Sequence, residues 1–268
     1  MKIEVQSFAK INLFLHIKNK RKDNYHNIET WYQFVNIKDK LTFIFNEIPL
    51  IKIESNLLLG KNNSISTAIK KIKAFAQEPS GLDIRVDKFI PMHSGLGGGS
   101  SNAATTLWIL NKYWKCNLSV KKLMEIGTSI GADVPIFLYQ HSSYATGIGN
   151  IFQKKYYPEK HILIIKAPCH CSTKDFFEFF DQKKSKDEKK FRYQNVFTEI
   201  LFKKYPNVYS LLKKFFVFDM RLSGTGSCFF ILHENYSLLK DIQKKLGKNI
   251  DSWITKTLNF APIVGKIL

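Results

Sequence analysis

Apolar and β-branched residues alternate with polar ones over Ile3–Ser7, Ile11–Ile17, Glu29–Val35 and Leu41–Asn46, the period of half-buried strands. Polar stretches separate these runs, the first from Lys18 to Asn24, so short strands joined by turns are predicted. The period then lengthens. Ile65, Ala68, Ile69 and Ile72 recur at helical spacing behind the capping candidates Asn62-Asn63-Ser64, which predicts a helix running to about Gln77. Leu82–Phe89 returns to strand alternation, Asn102–Trp114 reads as a helix, and Ser119 opens another helix that should stop at Gly131, with Pro135 just beyond.

A weaker boundary falls in Lys154-Lys155-Tyr156-Tyr157-Pro158-Glu159-Lys160, after which His161–Ala167 starts a new apolar strand. Helix-like and strand-like stretches alternate from there onward. Gln182 to Arg192 is nearly all charged or polar and reads as an exposed loop or a solvated helix end. There is no internal repeat. The order of elements argues for an α+β protein rather than a doubly wound parallel sheet, with two domains expected at 1–157 and 158–268.

The 268 residues are 44% hydrophobic and 14% aromatic, enough for packed cores. The 41 basic and 22 acidic residues leave a net charge of +19, which attracts anionic partners. That excess is mostly lysine, spread in pairs such as Lys70-Lys71 and Lys244-Lys245, with no arginine-rich arm, RNP-like signature or zinc-finger spacing. It reads as a solvated surface, and no nucleic-acid partner is expected. Cys116, Cys169, Cys171 and Cys228 are too few and scattered for a disulfide framework, and Cys169-His170-Cys171 lacks the second pair that a zinc site needs. No apolar run approaches the length of a membrane span and the N-terminus has no apolar core of a signal peptide, so a cytoplasmic protein without membrane association is expected.

The candidate chemistry centres on Pro91-Met92-His93-Ser94-Gly95-Leu96-Gly97-Gly98-Gly99-Ser100-Ser101, placed between a predicted strand and a predicted helix. Missing Cβ atoms let backbone N–H groups approach an anion, and the helix that follows adds its positive end. The segment is not a Walker A loop, because no Gly-Lys-Ser/Thr ends it, nor Gly-x-Gly-x-x-Gly, because Ser100 holds the last position. On spacing alone, a structural glycine turn remains an alternative.

The pattern Pro91-x-x-x-Gly95-Leu96-Gly97-x-x-Ser100-Ser101-x-Ala103 resembles the signature of the GHMP kinase superfamily. Its longer form, Gly95 to Ala104, is similar to one branch in particular, whose acceptor is a cytidine-diphosphate alcohol of the non-mevalonate isoprenoid pathway. Ala9 to Leu15, Gly131 to Phe137, Leu222 to Cys228 and Asp23-Asn24-Tyr25-His26 match the same branch in the same order. The resemblance implies a two-domain GHMP kinase fold, with an N-terminal ATP-binding α+β domain, a ferredoxin-like C-terminal α+β domain, and the active site between them. It implies ATP as phosphoryl donor with Mg2+, and the glycine segment as the ATP site. It also implies that Gly224-Thr225-Gly226-Ser227 packs against that segment as a second glycine turn. Asp133 becomes the general base and Lys10 its partner. Asn12, Tyr25, His26, Thr173 and Phe177 become contacts to the acceptor, Tyr25 and His26 receiving the cytosine. Gly is replaced by Asn24 within the matching segment, a mild change because Asn tolerates left-handed backbone. The branch often shows Asn-Asp-Leu-Glu where this chain has Asn195-Val196-Phe197-Thr198. No protein ligand to the metal stands out beyond a hydroxyl of Ser100 or Ser101, and a monomer or weak homodimer is expected. The alternatives are a GHMP kinase acting on a mevalonate-type or homoserine-type alcohol, and an RNA-binding protein of similar α+β build.

Overall fold

The first polar stretch, Lys18 to Asn24, does hold a turn, but the gaps on either side of it do not break the chain into short strands. A computed structural model, describing residues 1–60, 62–183 and 194–268, joins the predicted short strands into two long ones, β1 (Lys2–Lys20) and β2 (His26–Asn46), paired antiparallel. Register shifts at Phe8/Ala9, Asn12/Leu15 and Ile17/Asn19 bend the ribbon, as β-bulges do, without ending it. Pairing runs right up to the hairpin turn, where Asn19 and Lys20 face Asn27 and His26.

One edge of β2 meets β1 throughout, and its other edge meets three strands in succession. Thr30–Tyr32 pairs with β5 (Ser143–Thr146), which continues to β6 (Ile151–Lys154). Phe34 and Val35 pair with β10 (Ser252–Leu258), and Lys40–Asn46 with β4 (Gly81–Asp87), itself parallel to β3 (Ile51–Ser55). β10 carries the sheet onward to β7 (His161–Lys166), β9 (Cys228–His233) and β8 (Arg221–Leu222), while β11 (Gly265–Ile267) returns to the free edge of β1. This mixed sheet with its helices is an α+β fold.

Helices cover the sheet where their apolar stripes face it. In the first half, α1 (Ser64–Lys73), α2 (Gly98–Tyr113), α3 (Val120–Thr128) and α4 (Val134–Tyr139) bury Ile69, Ile72, Leu107, Leu110 and Trp114 against Phe34, Leu41 and Phe43. Asn63 caps α1 by accepting from Ser66 N at 2.9 Å, and Ser119 caps α3 from Lys122 N at 3.2 Å, as the sequence predicts. In the second half, α5 (Thr173–Lys183), α6 (Phe197–Lys204), α7 (Pro206–Leu212) and α8 (Tyr236–Leu246) contribute Phe176, Leu201, Leu212 and Leu239 to a core with Leu163, Ile165 and Phe229. A third cluster joins Ala9, Ile11 and Leu13 of β1 to Ile162, Ile164 and Phe230. Because strand side chains alternate, burying odd-numbered residues there sends Lys10 and Asn12 to the opposite face. Most of the charged run at Gln182 to Arg192 lies outside the described residues. No helix among the described residues is long and apolar enough to cross a membrane.

Candidate active site

The helix after the glycines starts earlier than the sequence pattern indicates. α2 begins at Gly98, with Gly97 as its N-cap in a left-handed conformation at φ 73°. A glycine cap has no side chain to satisfy the first N–H groups, so those groups face an incoming anion. A Cβ on Gly97 would lie 2.8 Å from the Phe137 ring and 3.0 Å from Lys10 Cε, so the loop presses directly onto the ion pair described below.

A buried network holds the loop from beneath. Asp39 accepts from the Phe89 and Ile90 N–H groups at 2.8 Å each, and from Lys88 Nζ and Asn102 Nδ2 on its other oxygen. Lys88 also donates to Asn102 Oδ1 at 2.9 Å, and Asn102 reaches Ser7, whose hydroxyl meets that of Ser101 at 2.6 Å. A fully buried carboxylate with four donors is tolerable only because every lone pair is used. The network gives Ser101 a buried place facing away from the cleft, and Leu96 is likewise core, its carbonyl accepting from Lys10 N at 3.0 Å. Pro91 to Gly95 and Gly97 to Ser100 line the cleft itself, a cavity of about 750 Å³, within the range of nucleotide-sized sites.

The second glycine turn closes the loop from above. Ser223 Oγ donates to Gly95 O at 3.0 Å, while Ser227 N and Cys228 N donate to His93 O and Ser94 O at 3.3 and 3.0 Å. Asn195 fixes this turn by donating to Leu222 O and Gly224 O at 2.9 and 2.8 Å. The two residues after it, Val196 and Phe197, are core. Val196 thus puts an apolar core residue where the branch often has an acid.

Lys10, Asn12 and Tyr32 converge at the end of the loop. Lys10 Nζ lies 3.0 Å from Asp133 Oδ2, 2.7 Å from Asn12 Oδ1 and 3.1 Å from Gly95 O, so its three donors have three acceptors. Tyr32 donates to Asp133 Oδ1 at 3.0 Å. Burial, followed by the Asp133 charge, pushes the Tyr32 phenol well above its ordinary pKa, which keeps it a donor. Asn12 donates to Thr30 Oγ1 at 2.8 Å, so its side-chain orientation is fixed. Asp133 lies in the short turn after α3 and is the N-cap of α4, with Pro135 in the first turn of that helix. Pro135 lacks one of the N–H groups that a cap residue would bind, and the carboxylate points to Lys10 and Tyr32 instead. Tyr32, Lys88, Asp39 and Asn195 are the site residues that sequence reasoning missed.

Thr173 and Phe177 of α5 also line the cleft, and Thr173 Oγ1 lies 3.1 Å from that of Thr225. Tyr25 and His26 stand at the tip of the β1–β2 hairpin, beside the lining rather than in it. Tyr25 is 52% exposed, whereas His26 is buried and stacks on Phe177 with ring centroids 4.8 Å apart. All four cysteines are free; Cys169 and Cys171 face each other with sulfurs 3.9 Å apart.

Residues 63–141 match the family described as GHMP kinases N terminal domain. The cleft, with its glycine loop on a helix N-terminus and an ion pair beside it, is therefore that of a GHMP small-molecule kinase. A 4-diphosphocytidyl-2-C-methyl-D-erythritol kinase from Francisella philomiragia is 42% identical over 96% of this chain and 96% of its own length. The chain belongs to that kinase family. A solved 4-(cytidine 5'-diphospho)-2C-methyl-D-erythritol kinase superposes with a TM-score of 0.79 at 23% identity, over 95% of this chain and 98% of that one. A mevalonate kinase superposes at 0.63 and 16% identity, over 96% and 99%. These two likenesses show the fold, which acceptors of different chemistry share.

Proposed function

We propose that the cleft transfers the γ-phosphoryl group of ATP to the 2-hydroxyl of 4-diphosphocytidyl-2-C-methyl-D-erythritol. The observation that carries this reading is the Lys10–Asp133–Tyr32 cluster at the end of the glycine loop. Phosphoryl transfer passes through a loose transition state, so the protein must mainly align the hydroxyl with the γ-phosphate and neutralise charge. ATP phosphates lie along Gly95 to Ser100 at the N-terminus of α2, and the acceptor enters between the hairpin tip and α5, with Asn12, Tyr25, His26, Thr173 and Phe177 around it. Asp133 orients the hydroxyl and takes its proton late in the reaction. Lys10 is anchored by three acceptors, so it holds Asp133 and the loop in register rather than swinging onto phosphate.

Among the described residues no group of three or more His, Cys, Asp or Glu side chains is placed to hold a metal. A magnesium ion carried by the nucleotide, keeping most of its waters and meeting the cleft-lining Ser100 hydroxyl, fits this donor set. When bound it neutralises charge on the phosphates.

Tyr32→Phe removes one hydrogen bond to a charged group, worth about 1.5–3 kcal/mol. Turnover is expected to fall by roughly 10- to 100-fold with ATP KM unchanged, measured in a steady-state assay of ADP formation. Unaltered turnover would remove Tyr32 from the alignment of Asp133. The reading as a whole is tested by the same assay on the unmodified protein. ADP formation should depend on the cytidine compound, and mevalonate or homoserine should not replace it.

A further inference from the structure

Asp181 is a carboxylate near the end of the described part of α5. It is held there by partners from the other half of the chain. Its Oδ2 lies 2.6 Å from Lys20 Nζ and its Oδ1 2.7 Å from His26 Nε2. Burial would raise its pKa, but the donors from Lys20 and His26 outweigh that and hold the carboxyl below the usual range. Because a carboxylate only accepts hydrogen bonds, His26 must carry its hydrogen on Nε2.

The same histidine ring presses on the cleft. Phe177 and Asp181 stand one turn apart on the same face of α5. Phe177 stacks on His26 at 4.8 Å and 28°, meets Phe197 edge-on at 4.9 Å, and lines the cavity. The hairpin tip that carries His26 also carries Tyr25, whose N–H is tied to Asp23 Oδ1 at 3.1 Å. His26 is 6% exposed, so removal of its acceptor would leave a buried polar N–H without a partner and loosen the hairpin from α5.

We propose that Asp181 is a positioning residue for the acceptor: through His26 it locks the hairpin tip against Phe177 and so assembles the wall that receives the base. This rests on the acceptor site read above. Lys20 completes the clamp, giving one carboxylate two donors from one hairpin. None of these contacts involves the glycine loop, so the two substrates should respond differently.

The test is Asp181→Ala, which leaves His26 no acceptor at this position, with Asp181→Glu as the conservative partner, assayed with ATP and the cytidine compound varied separately. Asp181→Ala should raise the acceptor KM about tenfold while kcat and ATP KM stay within about twofold, the pattern of lost uniform binding. Asp181→Glu should recover part of that loss. Nitrogen-15 NMR of the imidazoles should show His26 protonated at Nε2 in the unmodified protein and a mixture of tautomers in Asp181→Ala. An unchanged acceptor KM with unmodified turnover overturns the inference alone. Parallel rises in both KM values overturn it as well, because they mark a general loosening. If the unmodified protein does not act on the cytidine compound, the reading of the site fails and this inference falls with it.

Discussion

Asp133→Asn is expected to lower kcat by about a thousandfold while leaving the ATP dissociation constant within about twofold of the unmodified protein. The substitution keeps the size of the side chain and the acceptor for Tyr32, so the fold has little reason to change. It removes the proton acceptor, and it turns an amide toward Lys10 Nζ, which lies 3.0 Å from Asp133 Oδ2. Lys10 then loses one of its three acceptors but keeps Asn12 Oδ1 and Gly95 O, so the loop keeps its anchor. Steady-state turnover and an ATP titration by calorimetry separate the two quantities. Turnover close to normal would remove Asp133 from the chemistry.

Gly95→Ala should damage both binding and stability. A Cβ on Gly95 would lie 2.0 Å from Ser223 O, and the backbone there is left-handed at φ 74°. Ser223 has little room to retreat, because its N–H donates to Cys228 O at 2.9 Å and its hydroxyl to Gly95 O. The two glycine turns must therefore separate. Overpacking and left-handed strain together should cost a few kcal/mol, lowering the melting temperature by roughly 10 °C. ATP KM should rise at least about tenfold, because the amides that face the phosphates move with the turn. Gly131→Ala serves as the control, since its nearest neighbour would be 3.7 Å away. Its melting temperature should match that of the unmodified protein, and equal melting temperatures for both variants would refute the packing argument.

The parts of the site that were legible in the sequence are those written as contiguous local patterns. The glycine loop, the caps at Asn63 and Ser119, and the short segments around Lys10 and Asp133 each carry their meaning within a few residues. Tyr32 does not. It joins the site because β1–β2 pairing places it opposite Asn12, and a strand register spanning two bulges cannot be counted along one chain. The polar gap between Val35 and Leu41 was misleading for a related reason: Asp39 within it is buried with four donors, so its polarity marked an interior network and not a turn. Glycines disguised the start of α2, since their low helix propensity is outweighed where the first turn serves an anion. Asp181 stood at the edge of a charged run, and its partners lie in a hairpin far away in sequence. The long-range pairing of polar groups, then, is what sequence patterns did not carry.

The most direct test of the central claim is to incubate the protein with γ-labelled ATP and an equimolar mixture of 4-diphosphocytidyl-2-C-methyl-D-erythritol, mevalonate and homoserine, and to locate the label by mass spectrometry. The account predicts one labelled product, the cytidine compound carrying a new phosphate on its 2-hydroxyl. Label on mevalonate or homoserine, or release only as inorganic phosphate, would contradict it.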